Sequence, residues 1–252
     1  MSDAISRLIV PGPGVSAGRL GYYMSAELEE SCTLFGILGD TMDKSCVNWA
    51  LGQPDVVPSN PAPAITSGQM GATCTDGLAY FHTHVMPSTG ITIGAISKRV
   101  SGQAPIISTS NTGLIGQSGF ALLWSDATTL RFVRLENNAG TPVSRNVPLA
   151  VANANVLHKV MARGTGVGGV GQQLFCPTNG ASIGAASVLY PPDITAPGPA
   201  YIGGDRNASI NGGVGGNYVV IVFSVALSDK GLAELDALLS RIATDFGLTF
   251  GV

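Results

Sequence analysis

The last quarter of the chain carries two strand patterns, a glycine-rich loop and a helical pattern in a fixed order. Tyr201-Ile-Gly-Gly-Asp205 predicts a short strand that leads into a loop. Residues 218–225 are rich in β-branched and aromatic side chains, which is typical of a strand buried on both faces. Ser228 is a good helix N-cap, apolar residues recur every three or four positions over 229–246, and Gly247 is predicted to end the helix. The order strand, loop, strand, helix therefore constrains the fold more than any other feature.

The chain from Ser31 onward alternates short apolar segments with turn residues at the spacing expected of a β-sandwich. No helical pattern separates these segments, which excludes a doubly wound α/β fold. We expect one main domain over residues 31–252. The clearest predicted strands are 77–86, 90–100, 119–125, 129–136, 156–163 and 172–176.

Residues 1–30 have a different composition and are predicted to form an N-terminal arm or adaptor segment. Pro11-Gly-Pro-Gly14 interrupts any strand there, and Glu27, Glu29 and Glu30 cluster near its end. We expect this segment to dock to a partner rather than to stabilise the core.

The closing residues resemble those of the concanavalin A-like, laminin G-like jelly-roll domains found in bacteriophage virion proteins. Such domains commonly end with a short Ile-Gly-Gly strand, a last apolar strand and an Ala-Leu-Ser-Asp helix start, which correspond here to residues 202–204, 218–225 and 226–229. The resemblance implies an all-β, concanavalin A-like jelly-roll sandwich of two antiparallel sheets with a C-terminal amphipathic helix. It also implies a viral setting.

Composition and charge exclude several classes of function. Charged residues make up 12% of the 252-residue chain, well below the roughly 25% that is usual in soluble proteins. We therefore expect the chain to bury surface against copies of itself or other subunits. The net charge of −3 and the scattered Lys and Arg residues argue against nucleic-acid binding.

Membrane insertion is not expected, because no apolar stretch approaches the roughly 18 residues of a membrane-spanning helix. The start Met1-Ser-Asp-Ala lacks the basic and apolar regions of a signal peptide. We expect the protein to be made in the host cytoplasm and to reside in the virion.

No cofactor or metal is predicted from the cysteines and histidines. The four cysteines lack metal-type spacing and are expected to be free thiols. His82-Thr-His84 places two imidazoles on one strand face, which could begin a metal site. The glutamate that accompanies such a pair in cupins is absent, so a core or interface pair is the preferred interpretation.

Catalysis is not predicted either. The spacing G-x-G-x-x-G occurs within Gly164–Gly171, but a strand follows it where a dinucleotide site needs a helix, so it is interpreted as a hairpin loop. Glycosidases on jelly rolls need two carboxylates that face one cleft. Glu136 is the only glutamate in a predicted strand, so we expect a protein that is not an enzyme.

Two main functional hypotheses remain, and a hydrolase with an unrecognised site is a third. The first is a non-enzymatic virion structural protein, as a decoration, collar, baseplate or tail-fibre component, with other virion subunits and copies of itself as partners. The alternative is a carbohydrate-binding module for host-cell glycans at the tail tip. Its candidate carbohydrate or Ca²⁺ ligands lie in the loop before the last strand, with Tyr201 or Tyr218 nearby, although these residues also form turns. The candidates are Asp205, Asn207, Asn211 and Asn217.

Overall fold

The computed structural model describes residues 7–9, 20–22, 24–109, 119–167, 171–184, 190–192, 194, 198–204 and 212–251. These residues form an all-β sandwich with a C-terminal helix. The strands are β1 (Arg7–Ile9), β2 (Leu20–Tyr22), β3 (Cys32–Ile37), β4 (Val57–Pro58), β5 (Ala64–Ile65), β6 (Ala72–Thr75), β7 (Phe81–His82), β8 (Ile91–Ser101), β9 (Ala104–Ser108), β10 (Phe120–Asp126), β11 (Thr129–Asn138), β12 (Thr141–Ala150), β13 (His158–Gly164), β14 (Gln172–Cys176), β15 (Ala181–Gly184), β16 (Tyr201–Ile202) and β17 (Val214–Phe223). The helices are α1 (Ala26–Ser31), α2 (Met42–Cys46) and α3 (Asp229–Asp245).

Two antiparallel sheets form the sandwich. One has seven strands in the order β12-β11-β10-β9-β16-β7-β4, and the other has eight in the order β15-β14-β13-β8-β17-β6-β5, with β3 also paired to β17. The core between the sheets is apolar, and Trp124 and Phe81 on one sheet share it with Ile93 and Val220 on the other. The strand pairing confirms the sandwich that the sequence predicted.

Helix α3 lies on the outer face of the eight-stranded sheet. Its Leu235, Leu239 and Ile242 pack with Phe35 and Phe223 in a second apolar cluster. Strand β17 is therefore buried on both faces, with one face toward the core and the other toward α3, as its composition predicted.

The start of α3 is capped by two side chains. The Ser228 hydroxyl accepts a hydrogen bond from the Gly231 N–H at 3.0 Å. The Glu27 carboxylate in turn accepts bonds from the Ser228 N–H at 2.8 Å and from the Ser228 hydroxyl at 2.9 Å. The predicted N-cap is thus confirmed, and Gly247 follows the helix in a left-handed conformation with φ of 63°.

Part of the predicted arm contacts the sandwich. Helix α1 lies within residues 1–30, and its Leu28 is buried in the same apolar cluster as α3. Strands β1 and β2 pair with each other as a separate two-stranded sheet. The boundary at residue 30 stays a prediction, and we propose that the arm proper ends before Met24. The Pro11–Gly14 interruption lies outside the described residues.

One predicted strand is much shorter than expected. The segment 77–86 forms a strand only at Phe81–His82. Before it, the N–H groups of Leu78 and Ala79 bond to the carbonyl of Thr75, which makes a turn. After it, the Thr83 hydroxyl donates to the Ala200 carbonyl and accepts from the N–H of Val85. These local bonds replace the regular ladder, because a threonine hydroxyl can compete for backbone groups.

Candidate functional site

The predicted ligand set is not assembled by the described residues. Asp205, Asn207 and Asn211 lie outside the described part of the chain. Asn217 lies inside strand β17, opposite Ala72 and Ser97, and its side chain is fully buried. The prediction that Asn217 lies in a surface loop was wrong, because it belongs to a paired strand. Its side chain lies between the two sheets, so it cannot reach an external ligand. As a set of ligands, the other three residues stay a prediction.

The two tyrosines named with that loop have different environments. Tyr218 is half-buried against the apolar cluster beneath α3. Tyr201 instead lies on the outer face of the seven-stranded sheet, since its neighbour Ile202 is buried in the core and side chains alternate along a strand. Tyr201 is therefore the tyrosine of the two that belongs to a surface site.

Three rings meet at this position and form the aromatic cluster, which consists of Tyr80, His82 and Tyr201. The ring centroids are 5.1 Å apart for Tyr80 and His82, and 5.2 Å for Tyr80 and Tyr201. The His82 and Tyr201 rings are 5.1 Å apart with an interplanar angle of 80°. These separations and edge-to-face angles suit aromatic pairs, so the rings support one another.

Strand pairing brings the aromatic cluster together from distant parts of the sequence. Tyr201 of β16 lies directly opposite His82 of β7, and His82 lies opposite Val57 of β4. Phe81, which lies between Tyr80 and His82 in the chain, points into the core and is fully buried. Directly opposite residues in an antiparallel pair project to the same face. The cluster consequently joins β16 to β7 and to the residue just before β7, with Val57 of β4 beside it.

A glycine allows the Tyr80 ring to occupy its position. A Cβ atom at Gly204 would lie 2.8 Å from both Cβ and Cγ of Tyr80. Any larger residue there would displace the ring. The Gly-Gly pair of the closing Ile-Gly-Gly segment thus has a steric role beside the aromatic cluster.

The aromatic cluster is accessible from outside. Its three rings are half-buried, and the neighbouring Val57 and Leu78 are 54% and 60% exposed. Ring faces provide an apolar surface, while phenol hydroxyls and imidazole nitrogens donate and accept hydrogen bonds. The C–H faces and hydroxyls of a sugar need this combination. Ligand sites commonly pair apolar walls with a few polar groups that fix orientation.

The histidine pair lies outside the core. His82 belongs to the aromatic cluster, and His84 is exposed beyond the end of β7. The core part of the preferred interpretation was wrong, because the seven-stranded sheet presents this face of the segment to the outside. The interface part stays a prediction. Within the ranges that the structure describes, no group of three or more His, Cys, Asp or Glu side chains could hold a metal ion.

Glu136 is buried in the sandwich and serves a structural interaction. Its Oε2 accepts bonds from Arg145 Nε at 3.1 Å and from the Tyr190 N–H at 3.3 Å. The adjacent Arg134 donates to the carbonyls of Thr165 at 2.7 Å and Ser88 at 2.8 Å, and also bonds to Thr89. Burial lowers the pKa of Arg134 to about 10, while the charge of Glu136 opposes that shift. Arg134 therefore remains protonated at neutral pH and links two loops.

The glycine-rich segment forms a hairpin connection. It joins β13 to β14, which are antiparallel, and the Thr165 N–H bonds to the Gly171 carbonyl at 3.2 Å. Residues 168–170 lie outside the described residues. A strand follows the loop, so the interpretation as a hairpin rather than a dinucleotide fingerprint is confirmed.

The four cysteines are free thiols, as expected. Burial raises the pKa of Cys32 and of Cys74 to about 12 and that of Cys176 to about 11. A thiol nucleophile must ionise to react. These three side chains are therefore suited to packing rather than to chemistry at neutral pH.

No helix among the described residues is both long enough and apolar enough to cross a lipid bilayer.

Comparisons with known proteins identify the fold. No protein-family model matches the chain, and no curated protein sequence matches it. Among solved structures, the binding domain of botulinum neurotoxin DC in complex with SialylT has a TM-score of 0.58 and 11% identity over 84% of this chain. The binding domain of Paraclostridial Mosquitocidal Protein 1 has a TM-score of 0.58 and 13% identity over 85%. A structure of botulinum neurotoxin type C, whose passage into cells depends on interaction with two ganglioside molecules, has a TM-score of 0.53 and 13% identity over 84%.

The chain spans about half the length of these structures, with 52% of the two neurotoxin chains and 53% of the mosquitocidal chain covered. The first two are described as binding domains. At this low identity the likeness establishes the fold alone. The chain is an all-β jelly-roll sandwich of two antiparallel sheets with a C-terminal helix.

Proposed function

We propose that this protein is a non-enzymatic recognition domain that binds carbohydrate at the aromatic cluster of Tyr80, His82 and Tyr201. The observation that carries the proposal is the contact of three half-exposed rings, at 5.1 to 5.2 Å, on the outer face of the seven-stranded sheet. Aromatic side chains present large rigid contact area with a polar end, which suits a ligand that is apolar on one face and hydroxylated at its rim.

The structural neighbours favour this proposal over a purely structural role. One neighbour is in complex with SialylT, and another belongs to a toxin that interacts with two ganglioside molecules. The first is described as a binding domain, and both share the fold of this chain. We infer the same class of ligand, a cell-surface glycan, from the neighbours together with the aromatic cluster.

We further propose a virion as the setting, where the domain serves as a receptor-recognition or structural subunit. The support is the resemblance of residues 202–204 and 226–229 to phage jelly rolls, and the low charged fraction of 12%. Ile202 is a core residue and Ser228 is the cap of α3. These residues therefore have roles in the fold itself, and the proposal of a viral setting depends on the resemblance.

A glycan array tests the carbohydrate proposal. The full chain should bind a restricted set of glycans, and Tyr80→Ala and Tyr201→Ala should each weaken that binding by about tenfold or more, which corresponds to about 1.4 kcal/mol. Tyr190→Ala is the matched control, since Tyr190 is also half-buried but its N–H bonds to Glu136 of β11, which is separated from β16 by β10 and β9. The array should be run with and without Ca²⁺, because the loop candidates Asp205, Asn207 and Asn211 predict an effect of calcium.

Two results would overturn the proposal. One is the absence of glycan binding by the full chain, and the other is binding that neither tyrosine substitution alters. Electron microscopy of intact particles tests the virion setting separately. A position inside a head or collar, away from any host surface, would favour the structural-subunit hypothesis instead.

A further inference from the structure

An exposed valine forms one border of the aromatic cluster. Val57 of β4 lies directly opposite His82 of β7, and its side chain is 54% exposed. The preceding Val56 is buried in the core, as the alternation of side chains along an extended chain requires. Directly opposite residues have Cβ atoms roughly 5 Å apart on the same face. The methyl groups of Val57 therefore stand beside the His82 ring on the outer face of the sheet.

The position of Val57 relative to the aromatic cluster is fixed by backbone pairing. Pro58 pairs with Phe81, and Ser59 extends the contact by one more residue. The Ser59 N–H donates to the Tyr80 carbonyl at 2.8 Å, and the Ser59 hydroxyl accepts from the Tyr80 N–H at 2.9 Å. Valine is also stiff at its first side-chain torsion. A ligand that contacts Val57 and the rings together thus has little ordering of the protein to offset.

The His82 imidazole supplies polar atoms next to this apolar border. Its contacts with Tyr80 and Tyr201 are ring contacts, and no described residue forms a hydrogen bond with its ring nitrogens. A neutral imidazole has one nitrogen that donates and one that accepts. A ligand group placed over Val57 and His82 therefore meets two methyl groups and a hydrogen-bonding ring side by side.

An acetamido group matches this pair of side chains. It has a methyl group that gains from apolar contact, and an N–H and a carbonyl that an imidazole can bond. A sugar hydroxyl in the same place would gain nothing from Val57. The methyl group of a deoxy sugar would use Val57 but would leave the imidazole without a bond.

We propose that the glycan bound at the aromatic cluster carries an acetamido group in place of a sugar hydroxyl, and that Val57 and His82 recognise this group. The inference rests on the carbohydrate proposal and narrows it to N-acetylated sugars. In this arrangement Tyr80 and Tyr201 hold the sugar ring, while Val57 and His82 set the preference among sugars.

Matched sugar pairs test the inference by isothermal titration calorimetry. Tri-N-acetylchitotriose and cellotriose share one backbone and differ in that acetamido groups replace hydroxyls; N-acetylgalactosamine and galactose form a second pair. A buried methyl group is worth about fourfold in affinity and a net hydrogen bond about fivefold. In at least one pair the acetylated member should therefore bind wild type at least about tenfold more tightly, and Tyr201→Ala should weaken that binding.

Val57→Thr tests the residue that carries the inference. Threonine keeps the branched shape and replaces one methyl group with a hydroxyl, so the preference for the acetylated sugar should fall at least about threefold. Val100→Thr is the matched control, since Val100 is 50% exposed on β8 of the eight-stranded sheet, and it should leave the preference unchanged. A cooperative melt for each variant shows that it is folded.

The outcomes separate this inference from the proposed function. Tyrosine-dependent binding of glycans without an acetamido group, equal affinity for both members of each pair, or an unchanged preference in Val57→Thr would overturn the acetamido inference and leave the carbohydrate proposal standing. The absence of tyrosine-dependent binding to any glycan would overturn both.

Discussion

Helix α3 is fixed on the eight-stranded sheet by Leu235, and its truncation should be among the most destabilising single changes. Leu235 is fully buried in the apolar cluster beneath the helix. Its Cδ1 atom lies 2.9 Å from the position that a Cβ atom at Gly94 would take on strand β8. The helix therefore approaches the sheet at a glycine, with the leucine filling the space that a side chain would occupy.

The expected cost of Leu235→Ala follows from this packing. Buried leucine-to-alanine changes cost about 2 to 5 kcal/mol, and the cost depends on how well the site collapses. Gly94 has no side chain that could move into the cavity, so we expect the upper half of that range. The converse change, Gly94→Ala, adds a methyl group against Leu235 and should cost about 1 to 3 kcal/mol through overpacking.

The double variant Gly94→Ala/Leu235→Ala tests the contact itself. The new methyl group would occupy part of the cavity that the lost leucine leaves, so the double variant should be more stable than the sum of the two losses by about 1 to 3 kcal/mol. Urea unfolding followed by circular dichroism measures each free energy. Leu51→Ala is the control at a leucine that is 49% exposed, and it should change stability by no more than about 1 kcal/mol. Additive losses in the double variant would refute the packing of Leu235 against Gly94.

Three further predictions concern other parts of the chain. Burial raises the pKa of Cys74 from 9.0 to about 12, so the unfolded chain loses this proton at a lower pH than the folded chain does. The free energy of unfolding should therefore fall between pH 9 and pH 12. In urea titrations at several pH values, the fall with pH should be shallower for Cys74→Ala than for wild type, by up to about 1.4 kcal/mol per pH unit. Ser228→Ala removes the cap from the Gly231 N–H and should cost about 1 kcal/mol, while an unchanged urea midpoint would contradict the capping role. His84→Ala and Asp205→Ala should leave the melting temperature nearly unchanged, and a loss of glycan binding in either variant would move the binding site toward that residue.

The aromatic cluster could be predicted only in part. Tyr201 was named from sequence as an aromatic near the last loop, but its partners Tyr80 and His82 lie about 120 positions away in the chain. The pairing of β7 with β16 sets that contact. A sequence pattern has local periodicity but no information on which distant strands become neighbours.

Asn217 shows how a local pattern can mislead. Asparagine after Gly215 and Gly216 is typical of a turn. In the folded chain those glycines lie within β17, opposite Arg99 and Lys98. Pairing with β8 and β6 on either side makes the segment a central strand, because tertiary contacts outweigh local turn preference.

Local chemistry in the sequence was sufficient to determine helix α3 with its Ser228 cap, the double-sided burial of β17, the hairpin at Gly164–Gly171 and the class of the fold. Each depends on residues close together in the chain, whose periodicity and capping groups act over a few positions. Only the tertiary structure decided the aromatic cluster, the burial of Asn217 and the contact of α1 with α3. These depend on the order of strands in the two sheets and on which faces stay uncovered, and both are set by packing between segments far apart in sequence.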